Sequence, residues 1–437
     1  MKRQINTVTA EAAAQIIQNG QRVFITGNCS TPVEFFEALV ARYQELRDVE
    51  LIQILSIGMK EFVTPDMIEH IRVNNLFISD YMRQAVNNGT ADFTPVFLSE
   101  IPSLFRSGIL TPDVAVIHVS PPDEHGYCSF GVEVGVTKSA ADSAQTVIAQ
   151  VNPYMPRTLG DSFIHISHID YVIEVNTPLP EVKPQPASPI QDQIAQNIAE
   201  LIPDGATLQT GIGGIPDAVL RRLTNHRNLG IHTELFSDGV MEMIESGVIS
   251  CRAKTLHPGK IIAGFVIGTQ ALYEYIDDNP IIELHPTEYV NDPFIIAQNE
   301  KMISINSAIE VDLTGQVCAG SIGTYFYSGV GGQVDFVRGA SRSKGGKSII
   351  ALPSTAKKGT LSRIVPILKP GAGVTTSRND VRYIATEYGI AELFGRTIAQ
   401  RVNALVNIAH PDFREDLLEQ AREHYGIGRV YALNGVN

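Results

Sequence analysis

The stretch AQIIQNGQRVFITGNCSTPVEFFEALV (residues 14–40) has a counterpart in AELIPDGATLQTGIGGIPDAVLRRLT (residues 199–224). After one gap, both read as helix, glycine turn, apolar strand, Thr-Gly, loop, proline, helix. Glycine tolerates the left-handed backbone at a helix end, and proline suits a first helical turn, so the punctuation falls at the same places twice. Further on, NLFISDYMRQAVNNG (75–89) matches TELFSDGVMEMIESG (233–247), sharing Ser-Asp and a glycine nine residues after the aspartate. An internal duplication follows: two domains of one fold. The break between them is TPLPEVKPQPASPI (177–190), with prolines at 178, 180, 184, 186 and 189. Such a run cannot be a helix or a central strand and reads as an extended linker. The expected limits are a first domain over 1–177, a linker over 178–189 and a second domain over 190–437.

Working outward, helical and strand patterns alternate. Ala10–Asn19 is amphipathic, Gln21–Thr26 is a short apolar strand, Pro32–Arg42 is a helix and Val49–Ser56 another strand. The β-branched runs Asp113–Val119 and Tyr171–Val175 are of the type buried on both faces. This order predicts an α/β fold with mainly parallel sheets. The chain's 437 residues, 44% hydrophobic, are enough for two or three globular cores. A net charge of −13 excludes the basic footprint of a nucleic-acid binder. No apolar run approaches the ~20 residues of a membrane helix. Cys29, Cys128, Cys251 and Cys318 are far apart, without metal-binding spacing, and read as reduced thiols of a cytoplasmic protein.

The chemistry concentrates in the second half. Gly211-Ile212-Gly213-Gly214-Ile215-Pro216 follows the strand Ala206–Thr210 and leads into an expected helix over Pro216–Leu223. Bare glycine backbone at a helix start suits a phosphorylated ligand, although a tight turn without ligand fits equally well. It is no dinucleotide fingerprint, because Pro216 replaces the third glycine. About one helix downstream, in IHTELFSDG (231–239), Glu234 stands among apolar and hydroxyl neighbours. A carboxylate so placed is a candidate nucleophile for acyl transfer; helix capping is the plainer reading. A second glycine run, Ser328–Gln333, contains Gly331 and Gly332, whose amides could face a developing oxyanion. Glu234 lies opposite Leu76 in the repeat, and Gly211–Ile215 opposite Gly27–Thr31. The second half would then carry the chemistry while the first completes the cleft. His165, His168 and Asp170 lack a further ligand cluster, so no metal is expected.

Together these stretches resemble the acetyl-CoA hydrolase/transferase family. The likeness is carried by LQTGIGGIP (208–216), IHTELFSDGVMEMIESGVI (231–249), VGGQVDFVRGA (330–340), ALPSTAKKGTLSRIVPIL (351–368), VTTSRNDVRYIATEYGIAELFG (374–395) and IAHPDFREDL (408–417), with PPDEHGYCSFG (121–131) in the first half. Within the family the chain looks most like the 4-hydroxybutyrate and butyryl-CoA:acetate CoA-transferases. The resemblance implies a pair of α/β CoA-transferase domains of NagB/RpiA-like type, usually in homodimers or larger assemblies. It also implies that no metal and no permanently bound cofactor is needed, with a coenzyme A thioester as substrate. By motif, Glu234 would be the nucleophile. Gln209, Thr210, Gly211, Ile212, Gly213, Gly214 and Ile215 would line the CoA site, joined by Ile309, Gly331 and Gly332. Lys357 would meet the CoA phosphates, with Lys358 an equally good cation one residue on. The implied reaction moves CoA between a short-chain acyl-CoA, acetyl-CoA foremost, and a short-chain carboxylate through a glutamyl-CoA thioester. Two alternatives stay open: a hydrolase using the same glutamate, and a non-catalytic CoA or sugar-phosphate binding module.

Overall fold

The computed structural model describes residues 6–58, 64–211 and 213–427. The first half folds around an eight-stranded sheet, all of whose neighbours run parallel. Its order is Asn6–Thr7, Tyr171–Glu174, Thr146–Val151, Val114–Val119, Arg22–Ile25, Val49–Gln53, Ile71–Asn75 and Asp92–Phe93. The second half has a six-stranded sheet ordered Gly230–Ile231, Thr207–Thr210, Met302–Ser307, Lys347–Ala351, Tyr383–Thr386 and Gly389–Glu392. Only its last pair is antiparallel. Arg22–Ile25 and Thr207–Thr210, the paired strands of the repeat, hold the same place in the two orders. The duplication read from sequence therefore appears as topology. The later match differs. Counted from those paired strands, Leu76 follows the third, Ile71–Asn75, whereas Glu234 follows the second, Gly230–Ile231, because the first half has an extra strand before that point.

Period-two side-chain alternation explains why the sheets are covered on both faces. Val23 and Ile25 point into a cluster with Phe35, Phe36 and Leu39 of the helix Val33–Ala41. Phe24, between them, points the other way, into a large core that also holds Phe105, Leu208, Phe236 and Ile303. That core runs through both halves. Beyond the second sheet, Ile350 and Ile384 pack with Val402 and Leu405 of the helix Ile398–Asn407.

Residues 175–188 form neither helix nor strand, and Pro189 is the first residue of the helix Pro189–Ala199. Ser188 and Gln191 close a capping box there, which is why the proline sits in the helix and not before it. The connecting segment is pinned down. Leu179 is buried, Val182 N–H donates to Gly268 O at 3.0 Å, and Tyr273 O–H donates to Pro180 O at 2.8 Å.

Candidate active site

Glu234 begins as a backbone question. Its carbonyl accepts from the amides of Gly264 and Phe265, each at 2.9 Å, where Leu235–Phe236 pairs in parallel with Phe265–Val266. One residue earlier, Thr233 Oγ1 donates to Thr210 O at 3.1 Å, tying the Glu234 strand to the end of Thr207–Thr210. His232 is fully buried, and its Nε2 meets Val290 O at 2.8 Å. Burial pushes the His232 imidazole down to about 3, so it is neutral at ordinary pH. A neutral ring that donates through Nε2 fixes Val290, and with it the next residue, Asn291.

Asn291 Nδ2 in turn donates to Glu234 Oε2 at 2.9 Å. The Gly332 amide is a second donor to the same carboxylate. Burial raises the Glu234 carboxyl above the ordinary glutamate range, while Asn291 and Gly332 pull it back. Gly332 caps the helix Gln333–Arg342 with φ −96°, a conformation open to any residue. A Cβ there would overlap the Glu234 carboxylate and the Asn291 amide, so the missing side chain, and not backbone freedom, is what the site requires.

A cavity of ≈ 200 Å³ opens on Glu234 between the halves. Asn28, Ile54, Leu55, Phe77, Leu98, Glu133 and Val136 line it from the first half. Gly211, Leu235, Phe265, Ile267, Thr287 and Gly331 do so from the second. The walls are tied together beside the nucleophile. Val134 and Gly135 donate to Gly264 O at 3.3 and 3.0 Å, and Val266 donates to Val132 O at 2.8 Å. On the opposite rim Leu98 N–H donates to Gly331 O at 3.1 Å, and Ser99 N and Oγ donate to Asp335 at 3.2 and 2.9 Å.

The residues expected to meet CoA are placed unevenly. Gly211 lines the cavity, and Gly331 and Gly332 lie on its rim and floor. Gly213 has φ +117°, which only glycine adopts readily, and caps the helix Gly214–Arg222. That helix starts two residues before Pro216. Asp217 in its first turn gives the positive end a carboxylate of its own. A side chain on Gly214 would meet Gln191. Ile215 is buried in the core, so only its backbone is free to face a ligand. Gln209 is buried and paired amide to amide with Asn306 at 3.2 and 3.4 Å; Thr210 offers its carbonyl to Thr233. Ile212 lies outside the described residues. Ile309, half-buried, and Lys357, on an exposed turn with φ +47°, are not among the residues lining this cavity.

Asn291, Glu133, Asn28 and Thr287 were not anticipated. Asn28 had a signal, since the repeat sets it opposite Ile212 in the glycine loop. So did Glu133, an isolated carboxylate in the apolar run Phe130–Val136. Asn291 had none: it comes into place from 57 residues away.

The sequence and the fold are shared with known proteins. Residues 3–182 match the acetyl-CoA hydrolase/transferase N-terminal domain and residues 268–421 its C-terminal domain. The chain belongs to the acetyl-CoA hydrolase/transferase family. It is 53% identical over 418 residues to the 4-hydroxybutyrate coenzyme A transferase of Clostridium kluyveri, covering 96% of this chain and 97% of that one. It is 48% identical to a succinyl-CoA:acetate/propanoyl-CoA:succinate CoA transferase of Fasciola hepatica, over 93% of this chain and 85% of that one. The solved 4-hydroxybutyrate CoA-transferase from Porphyromonas gingivalis superimposes with a TM-score of 0.83 at 44% identity, covering 96% of this chain and 98% of that one. Glu234 falls between the two matched domain segments.

Asn291→Leu is expected to lower kcat about a hundredfold, the scale of one lost donor to a reacting oxygen. Because Asn291 holds the carboxyl down, its loss moves the acid limb of the pH–rate profile upward. An unchanged limb would show that the Asn291 contact does not reach the reacting group.

Proposed function

We propose that this protein is a CoA-transferase that moves CoA between a short-chain acyl-CoA, acetyl-CoA foremost, and a short-chain carboxylate. The observation that carries the reading is Glu234, held by Asn291 and Gly332 at the base of a small, mostly apolar cavity. A Glu234 oxygen attacks the thioester carbonyl, the carbon–sulfur bond breaks, and an acyl-glutamyl anhydride and CoA thiolate form. The thiolate attacks the glutamyl carbonyl, expelling the first carboxylate and leaving glutamyl-CoA. An acceptor carboxylate then retraces both steps and restores Glu234. No proton need move, so a single carboxylate suffices. The donors that hold the resting carboxylate also face the oxyanion formed on the glutamyl carbonyl.

The relatives' names support transfer over hydrolysis, and the apolar walls contributed by Ile54, Leu55, Phe77, Leu98 and Phe265 support it independently by limiting water at the anhydride. The cavity is smaller than the about 300–1,000 Å³ of drug-sized sites and suits an acyl chain, with CoA reaching in from outside. A cleft of ≈ 420 Å³ between Phe93–Phe97 and Gly320–Val330, across the Gly329–Gly331 loop, is suited to the long arm of CoA. In this reading the Gln209–Ile215 backbone and Ile309 contact CoA, Lys357 meets its phosphates, and CoA is substrate with no cofactor held permanently. The active form would be a cytoplasmic homodimer or larger assembly. No helix among the described residues is long and apolar enough to cross a membrane. Domain limits of 1–177 and 190–437 around the proline-rich connection complete the reading.

Product partition tests it. Purified protein is given acetyl-CoA with butyrate or 4-hydroxybutyrate, and new acyl-CoA is separated from free CoA. New acyl-CoA as the main product is expected; free CoA alone would replace the transferase by the hydrolase.

A further inference from the structure

The first half reaches one of the Glu234 donors from behind. The Gly332 N–H, which donates to the Glu234 carboxylate, belongs to the same peptide unit as the Gly331 carbonyl. The described chain has no cis peptide bond, so in that rigid plane the carbonyl and the N–H point opposite ways. Whatever holds the carbonyl therefore aims the N–H. That holder is the Leu98 amide, which donates to Gly331 O at 3.1 Å from the first half. A peptide that accepts a hydrogen bond at its carbonyl is also polarised into a stronger N–H donor. The next residue grips the same turn. Ser99 N and Oγ donate at 3.2 and 2.9 Å to Asp335, buried in the first turn of the helix that Gly332 caps. Phe77 closes another side: a Cβ on Gly329 would meet its ring at 3.0 Å, and one on Gly331 at 3.4 Å. Gly331 has φ +56°, so the turn is set in a left-handed conformation that suits glycine.

We propose that the Leu98 amide is a positioning group for the reaction, aiming the Gly332 N–H at Glu234 through the Gly331–Gly332 peptide. The inference rests on the transferase reading and adds that one donor to the reacting carboxylate is set by the opposite half. The contact is main chain to main chain. Side chains at position 98 can therefore change without losing it, and proline alone removes it.

The test compares Leu98→Pro with Leu98→Ala in the full-length protein, following exchange of labelled acetate into acetyl-CoA. Proline removes the donor and sets a ring carbon against the Gly331 carbonyl. The local main chain accepts it: Phe97 is extended at φ −72°, ψ 144°, and Leu98 is the first residue of the 3₁₀ helix Leu98–Glu100. Alanine keeps the N–H and loses more of the side chain. Neither substitution changes a charge, Asp335 and Glu100 included. Relative to alanine, proline is expected to lower kcat about tenfold to a hundredfold, with KM for acetyl-CoA within about threefold. Gly332 holds the Glu234 carboxyl down, so a misaimed N–H lets it rise and moves the acid limb of kcat/KM to higher pH. Equal kcat in the two variants overturns the proposal, and so does a slower proline variant whose acid limb stays in place. If the proline variant does not fold, Asp335→Ala against Asp335→Asn decides. Both lack the charge, but asparagine keeps partners for Ser99. Alanine is expected to be slower by about tenfold, and equality overturns the proposal. Exchange in the wild type without a difference between paired variants defeats this inference alone; no exchange in the wild type defeats the transferase reading and the inference with it.

Discussion

Glu234→Ala is expected to abolish both transfer and hydrolysis, lowering turnover roughly 10⁴-fold or more, the scale of losing a covalent nucleophile. The reason is the economy of the site. No other group in the described cavity can form the anhydride: Glu133, the second carboxyl there, is held neutral by burial and accepts from Asn28 and Val136. Incubation of the wild type with acyl-CoA and no acceptor should leave a CoA adduct on the protein, detectable by intact mass and mapped to Glu234. The variant should show none. Stability should move the other way. Glu234 is a desolvated carboxylate whose neighbours favour chemistry over comfort, so alanine is expected to hold or raise Tm. A variant keeping a tenth of wild-type turnover, or an adduct on another residue, would sink the mechanism. In the wild type, the raised Glu234 carboxyl places the acid limb of kcat/KM above that of an ordinary glutamate, with activity falling as pH falls through it.

Gly332→Ala is the second large effect, and it separates activity from folding. Backbone strain is not at issue at φ −96°. The added methyl would occupy the space of the Glu234 carboxylate and the Asn291 amide, so the carboxylate must turn away from both donors. Activity should fall about a thousandfold, because nucleophile orientation and oxyanion support are lost together. The stability cost should stay within about 1–3 kcal/mol, the usual range for one extra methyl in a tight place. Kinetics and thermal melts on the same preparation check both halves of the expectation. Near-normal turnover would mean that the carboxylate does not work from the position it occupies here.

The sequence was most legible where a local rule acts. Strands such as Val114–Val119 follow from β-branched runs, and the repeat places Arg22–Ile25 and Thr207–Thr210 in equivalent positions. Pro216 misled by two residues as a helix start, since Gly213 with its positive φ takes the cap instead. The strand inserted at Ile71–Asn75 upset the alignment of Leu76 with Glu234, because sheet position depends on pairing partners that similarity of short segments does not encode. Within the site, Glu234 and the Gly332 amide could be named from their neighbours, whereas the Gly331 carbonyl, not its amide, is the group in use. Asn291 could not, because its role exists only once His232 fixes Val290 O across the core. Glu133 was visible as a charge in an apolar run, but its meaning required the cavity it lines.

The cleft between two copies of one fold has a consequence for how such enzymes diversify. The Glu234 wall is fixed by reaction geometry, with every neighbour from Thr233 to Gly332 committed to one carboxylate. In the transferase reading the facing wall, built by Asn28, Phe77, Leu98 and Glu133, would meet the acyl chain and not the reacting bonds. Mutational drift there can retune which acid is carried while the chemistry is inherited intact. Duplication thus separates the invention of new substrates from the risk of losing catalysis, and a saturation library confined to those four positions is where altered acceptors should be sought.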